Sequence, residues 1–267
     1  MGLIHRISSS KPQSATLALA SRRAVLAGML RLCALAAPLI AAGGIWGADR
    51  AAAQERSPVV IELYTSQGCS SCPPADALMR DLAKRADVIA LSLHVDYWDY
   101  IGWKDKFADP AFTARQRAYA RQAKHRSIYT PQMIVGGTDH VVGTHAKDVA
   151  ALIARHGAKA PALTLSAARS GARMQVSAPA LRASRPMVVQ VVRYTPSASV
   201  KILRGENAGR TVDYANIVTE WSRVGEWDGR APLMMDVKIG GDAPAVVIVQ
   251  EVAKRGPGAI LAAARVK

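Results

Sequence analysis

The chain has 267 residues, half of them hydrophobic and 21% charged, with a formal net charge of +15. That composition excludes a disordered chain and a multispan membrane protein, and the length is enough for two modest domains.

Residues 1–53 read as an export segment. SRRAVLAGML (residues 21–30) places Arg22 and Arg23 ahead of an apolar stretch. LCALAAPLIAAGGIW (residues 32–46) continues it without a charge, and three alanines at 51–53 offer the small residues that a signal peptidase reads. Ser21 before the arginine pair and Val25–Leu26 after it give the pattern of a twin-arginine signal, although a general-secretion signal also starts basic. Pro38, Gly43 and Gly44 interrupt the apolar run, which argues against an uncleaved anchor of about 20 residues. The expected product starts near Gln54, is periplasmic or secreted, and has no stable membrane insertion.

The six Lys+Arg and one Asp+Glu of residues 1–53 leave 29 basic and 19 acidic residues, so the remainder carries +10. A basic exported protein can meet anionic lipid, cell-wall polymers or acidic partners, and much of such charge simply sits on solvated faces. No arginine run with interleaved aromatics points to nucleic acid.

PVVIELYTS (residues 58–66) is a short apolar run with β-branched residues and predicts a buried strand. GCSSC follows, with Cys69 and Cys72 two residues apart. PPADALMRDLAKRA (residues 73–86) repeats apolar residues at helical spacing, and DVIALSLHVD (residues 87–96) predicts a second buried strand. HVDYWDYIGW (residues 94–103) packs one His, two Asp and four aromatics into a strand end and loop, where functional side chains concentrate. DPAFTARQRAYARQAKHR (residues 109–126) predicts a helix capped by Asp109 with Pro110 in its first turn. IYTPQMIVGG (residues 128–137) and DHVVGT (residues 139–144) predict a hairpin turning at Gly136–Gly137. AKDVAALIARHG (residues 146–157) predicts a helix stopped by Gly157.

After Pro161 the texture changes to short β-like runs separated by Gly, Pro and Ser, which predicts a sandwich. YANIVTEWSRV (residues 214–224) fits a helical period, but its β-rich surroundings favour a strand. The expected division is 1–53 export signal, 54–158 first domain, and 159–267 mainly β, sandwich-like domain.

Strand, CxxC, helix, strand, then Thr130–Pro131 before a hairpin and a last helix, resembles a thioredoxin-like α/β domain over residues 58–157, a central mixed sheet flanked by helices. GCSSCPPAD, HVDYWDYIGWKDKF, FTARQRAYA, YTPQMIVGG and RGENAGRT together resemble a family of bacterial secreted thioredoxin-like proteins of uncharacterised function. The resemblance implies a cis-proline at Pro131, with Thr130 offering main-chain hydrogen bonds to a bound peptide.

Two cysteines in an oxidising compartment fit a disulfide, but a bridge across so short a loop constrains the unfolded chain little. That turns attention to reactivity, which needs a thiolate stabilised by the N–H groups of a helix N-terminus. Cys69 is expected to attack and Cys72 to resolve. Ser70 and Ser71 offer hydroxyls to a thiolate, whereas Asp76 opposes its charge. Glu62 is either a buried acid serving Cys72 or a strand residue that is solvated or paired with a base. His94, Asp96, Trp98 and Trp103 either shape a cleft beside the pair or form an aromatic core with satisfied polar tips. RGENAGRT (residues 204–211) is either a solvated turn or a contact to the first domain or a partner.

The lead expectation is an exported thiol–disulfide oxidoreductase acting on a protein thiol or a small thiol, with a redox partner protein and no cofactor beyond the Cys69–Cys72 disulfide. One alternative is a copper-binding protein using Cys69, Cys72 and a histidine such as His94, with His140 and His145 also near the hairpin. The other is a binding module whose disulfide is only local.

Overall fold

The computed structural model describes residues 57–182 and 184–266. The expected export signal, and with it Cys33, lies outside the described residues.

β1 (Val59–Thr65) is buried at every residue because it has neighbours on both edges and layers on both faces. β2 (Val88–His94) pairs with it in parallel and β3 (Gln132–Val135) antiparallel. Alternation along β1 sends Ile61 and Leu63 to one face and Val60 and Tyr64 to the other. The first face packs on α1 (Pro73–Ala83), through Ala75, Met79 and Leu82, and on α3 (Ala146–Gly157), through Val149 and Ile153. The second packs on α2 (Pro110–Gln122) through Phe112 and Tyr119.

Pro73 and Pro74 occupy the first turn of α1, where missing N–H groups cost nothing. Asp109 caps α2 by accepting from the Ala111 N–H at 2.8 Å. Helix α2 stops four residues earlier than its sequence suggests, since the chain reverses at Lys124 with φ of 58°. The β3–β4 hairpin turns at Gly136 and Gly137, with φ of 60° and 77°, and β4 is Asp139–Val142.

The later strands are β5 (Ser166–Ser170), β6 (Arg173–Ala178), β7 (Met187–Lys201), β8 (Thr211–Trp227), β9 (Leu233–Lys238), β10 (Ala245–Ala253) and β11 (Gly256–Arg265). The ambiguous stretch at 214–224 is therefore strand, its apolar residues divided between the two faces of a long β8. β5, β6 and β9 make a small antiparallel sheet. Met174, Val176 and Ala178 alternate inward from β6 and meet Met187, Val189, Val247 and Val249. This is a sandwich, but its larger sheet does not end with the C-terminal half.

That sheet has eight strands in the order β11-β10-β7-β8-β2-β1-β3-β4. The boundary expected at 158/159 thus falls within one mixed sheet, joined where β8 runs parallel to β2 at Ser92 and Ile217. The Ser92 hydroxyl donates to the Ala215 carbonyl at 2.8 Å, and the Asn216 amide donates to the Ala90 carbonyl at 2.9 Å. Asn216 takes φ of 47°, which its short polar side chain tolerates.

A second tie lies on the α2 face. Glu62 of β1 is wholly buried and accepts two hydrogen bonds from the Arg115 guanidinium, at 2.7 and 2.8 Å, and others from the Tyr64 and Tyr119 hydroxyls. The same guanidinium donates to Gln250 of β10 at 3.0 Å and lies 3.7 Å from the ring centroid of Trp221 of β8. Removing one partner of a buried pair leaves the other charge uncompensated, which costs about 3–5 kcal/mol. Arg115→Met is expected to lower unfolding stability by about that amount in urea titrations. A loss under about 1 kcal/mol would mean a dispensable surface-type pair.

Candidate functional site

Cys72 is the residue preceding α1, and Cys69 lies in the turn between β1 and that helix. The two are joined in a disulfide, with Cα atoms 5.4 Å apart. Ser70 and Ser71 are exposed above the bridge, and the Ser71 hydroxyl lies 3.4 Å from the Cys69 sulfur. The cysteines themselves are closed off, Cys69 being 1% and Cys72 0% exposed. Cys69, the expected attacking residue, is thus buried in this oxidised form.

Trp98 forms part of that cover. Gly68 precedes Cys69, and a Cβ there would stand 3.1 Å from the Trp98 Cβ, so the glycine admits the indole loop. The Trp98 ring N–H donates to the Thr130 hydroxyl at 2.7 Å. One side chain therefore links the cysteine turn to the Thr130–Pro131 segment, whose peptide bond is cis. Gly143 fits between Pro131 and Ala75, its missing Cβ being 3.1 Å from each. The structure thus brings together Cys69, Cys72, Ser70, Ser71, Trp98, Thr130 and Pro131.

Beneath the turn is a buried polar layer. The Asp105 carboxylate accepts the Gln67 N–H at 2.8 Å and meets His94 Nδ1 at 2.7 Å. An ionised carboxylate only accepts, so Nδ1 is the donor, and Nε2 has no hydrogen-bond partner among the described residues. The ring stacks edge-on against Phe107 and Tyr214, whereas Tyr100 of the same loop is exposed. Trp103 donates to the Gln67 side chain at 2.8 Å.

Asn207 reaches this layer from the C-terminal half. Its amide donates to the carbonyls of Gln67 and Cys69, at 2.9 and 2.8 Å. RGENAGRT is therefore a strap over the cysteine turn rather than a free loop. Its glycines and single Asn were the only sequence signal for this contact.

The buried acid on the α1 face is Asp76, not Glu62. Glu62 points to the opposite face of the sheet, where Arg115 neutralises it, because β1 alternates and even-numbered residues face α2. Asp76 lies one helical turn beyond Cys72 and accepts from the Thr65 hydroxyl at 2.8 Å. Burial lifts its pKa to about 7, against the lowering effect of His94 and of the Thr65 hydrogen bond. Asp96 stands apart from the disulfide and accepts from the Thr113 hydroxyl at 2.5 Å.

The alternative ligand set is Cys69, Cys72 and His94. The sulfurs are bonded to each other and His94 is held by Asp105. Among the described residues no group of three or more His, Cys, Asp and Glu side chains stands ready to hold a metal ion. His140 contacts Gln132 and His125, and His145 pairs with Asp148 beside the start of α3.

Asp76 has a testable consequence. Its folded pKa is raised above the unfolded value of 3.8, so the folded state keeps a proton that the unfolded chain releases. That stabilisation is complete at low pH and is lost as pH rises from about 4 to about 7. Melting temperatures of the oxidised protein and of Asp76→Asn should therefore diverge over this window, the native protein falling relative to the variant. Parallel curves would show that Asp76 titrates as an ordinary surface carboxylate.

No curated protein matches the chain. A crystal structure of a protein from Agrobacterium tumefaciens is similar at 32% identity and a TM-score of 0.69, covering 80% of this chain and 95% of that one. HBP35 of Porphyromonas gingivalis is similar at 14% identity and a TM-score of 0.54, covering 79% of this chain and 74% of that one, a likeness of fold alone. The family model described as Protein of unknown function (DUF1223) matches residues 60–250, on both sides of the β2–β8 seam, and the chain belongs to that family.

Proposed function

We propose that the protein is an exported thiol–disulfide oxidoreductase built on a thioredoxin-like core, acting through Cys69 and Cys72. The observation that carries the reading is the placement of a vicinal cysteine pair at the N-terminus of α1, with the Thr130–Pro131 segment joined to it through Trp98. The element order of β1, CxxC, α1, β2, α2, then a hairpin and α3 supports the same core.

In this reading a substrate thiolate attacks the Cys69 sulfur, forming a mixed disulfide and releasing Cys72 as a thiolate. A second substrate thiolate attacks its partner's sulfur, forms the substrate disulfide and expels Cys69. Two substrate thiols are oxidised, the protein disulfide is reduced to two thiols, and two protons pass from one to the other. Asp76, carrying its proton below about pH 7, supplies the proton that the released Cys72 takes up. The N-terminus of α1 favours the thiolate form. Tyr100 and Leu203, large apolar side chains left exposed on the two loops flanking the turn, suit a polypeptide substrate.

Burial of both sulfurs favours a second reading, a binding module with a structural disulfide. The reduction potential separates the two. Equilibration in glutathione buffers, with the thiols trapped and weighed by mass spectrometry, is expected to give a value between about −120 and −270 mV. Cys72→Ser should then accumulate mixed disulfides at Cys69. A potential below about −300 mV would mark a structural bridge and end the oxidoreductase reading.

A further inference from the structure

We infer that an acidic polypeptide segment docks in a basic concavity between α2 and the segment leading to Thr130. From Pro110 to Thr138 the chain holds no Asp or Glu but five Lys and Arg. Arg115 is consumed by Glu62. Arg117, Arg121, Lys124 and Arg126 are exposed, and none forms an ion pair among the described residues.

Arg117 and Arg121 are four residues apart on one face of α2, a spacing at which like charges destabilise a helix. The left-handed Lys124 then reverses the chain, so that His125 and Arg126 line the same concavity as those two arginines. It is an open, shallow concavity of about 430 Å³, with Ala120 and Ile128 also in its lining. Like charges gathered in a hollow, without carboxylates, are complementary to an anion that can enter it.

The hollow also leads to the candidate site. Gln116, next to Arg117, donates to the Tyr129 carbonyl at 2.8 Å and accepts from the Tyr97 hydroxyl at 3.2 Å. Tyr97 adjoins Trp98, and Tyr129 adjoins Thr130. A segment held by Arg117, Arg121 and Arg126 would continue past Thr130 to the cysteine turn. Only the role of that segment as substrate rests on the oxidoreductase reading.

The test uses the exported form of the full chain and a fluorescein-labelled, cysteine-free peptide rich in Asp and Glu, with its Asn/Gln analogue as control. Fluorescence anisotropy should show binding of the acidic peptide alone. Affinity should fall steeply when salt rises from about 0.01 M to about 0.15 M, which shortens the Debye length from about 30 Å to about 8 Å. Arg117→Gln/Arg121→Gln/Arg126→Gln should weaken binding about tenfold. The rate at which dithiothreitol reduces the disulfide should not change in that variant.

Equal binding of the two peptides, or an unaltered affinity in the triple variant, would overturn the proposal. So would co-sedimentation with phosphatidylglycerol vesicles that the triple variant loses and the acidic peptide fails to compete, since the partner would then be a membrane. Acidic-peptide binding to a protein whose disulfide proves structural would leave the docking site standing and remove the oxidoreductase reading.

Discussion

The Glu62–Arg115 pair is the interaction on which the rest of the architecture leans. A carboxylate in the middle of a fully buried strand can exist only if it is paired and its remaining lone pairs are filled. Arg115 neutralises it, Tyr64 and Tyr119 complete it, and the guanidinium extends to Gln250 and the Trp221 ring. The charge in β1 therefore ties α2 to strands from the far half of the chain. The same pairing fixes which face of β1 is turned toward α2, and so which residues are left to face α1 and the cysteines.

With β1 set, the cysteine turn inherits its surroundings. Thr65, on the α1 face, holds Asp76 one turn below Cys72. The end of β2 delivers His94, which Asp105 captures together with the Gln67 N–H. Asn207 closes the layer from above the seam, by way of β8 and the strap that precedes it. The turn thus has few free backbone groups and little room to move. Side chains of three separate segments, Trp98, Thr130 and Asn207, converge on this turn.

Much of the fold was legible in the sequence. The strand and helix runs up to Gly157 follow from apolar periodicity, Asp109–Pro110 and the paired glycines, all of them local signals. The cysteine pair, the Thr130–Pro131 step and the RGENAGRT contact were also visible as motifs. The helix end at Gln122 is not legible because an alanine- and arginine-rich run carries no local stop signal. Glu62 was undecidable because its partner lies 53 residues away, and Asp105 gave no hint because its role needs His94 and Gln67 to converge on it.

The sequence by itself determined which segments are strand and which are helix, and that two thiols stand next to a helix start. These depend on residues within a few positions of one another. Tertiary structure alone decided that one sheet runs through both halves, that Asp76 rather than Glu62 is the acid beneath the cysteines, and that both sulfurs are covered. Each of those follows from strand pairing and facing, which side-chain alternation permits in two ways and only long-range burial of charge and apolar surface resolves.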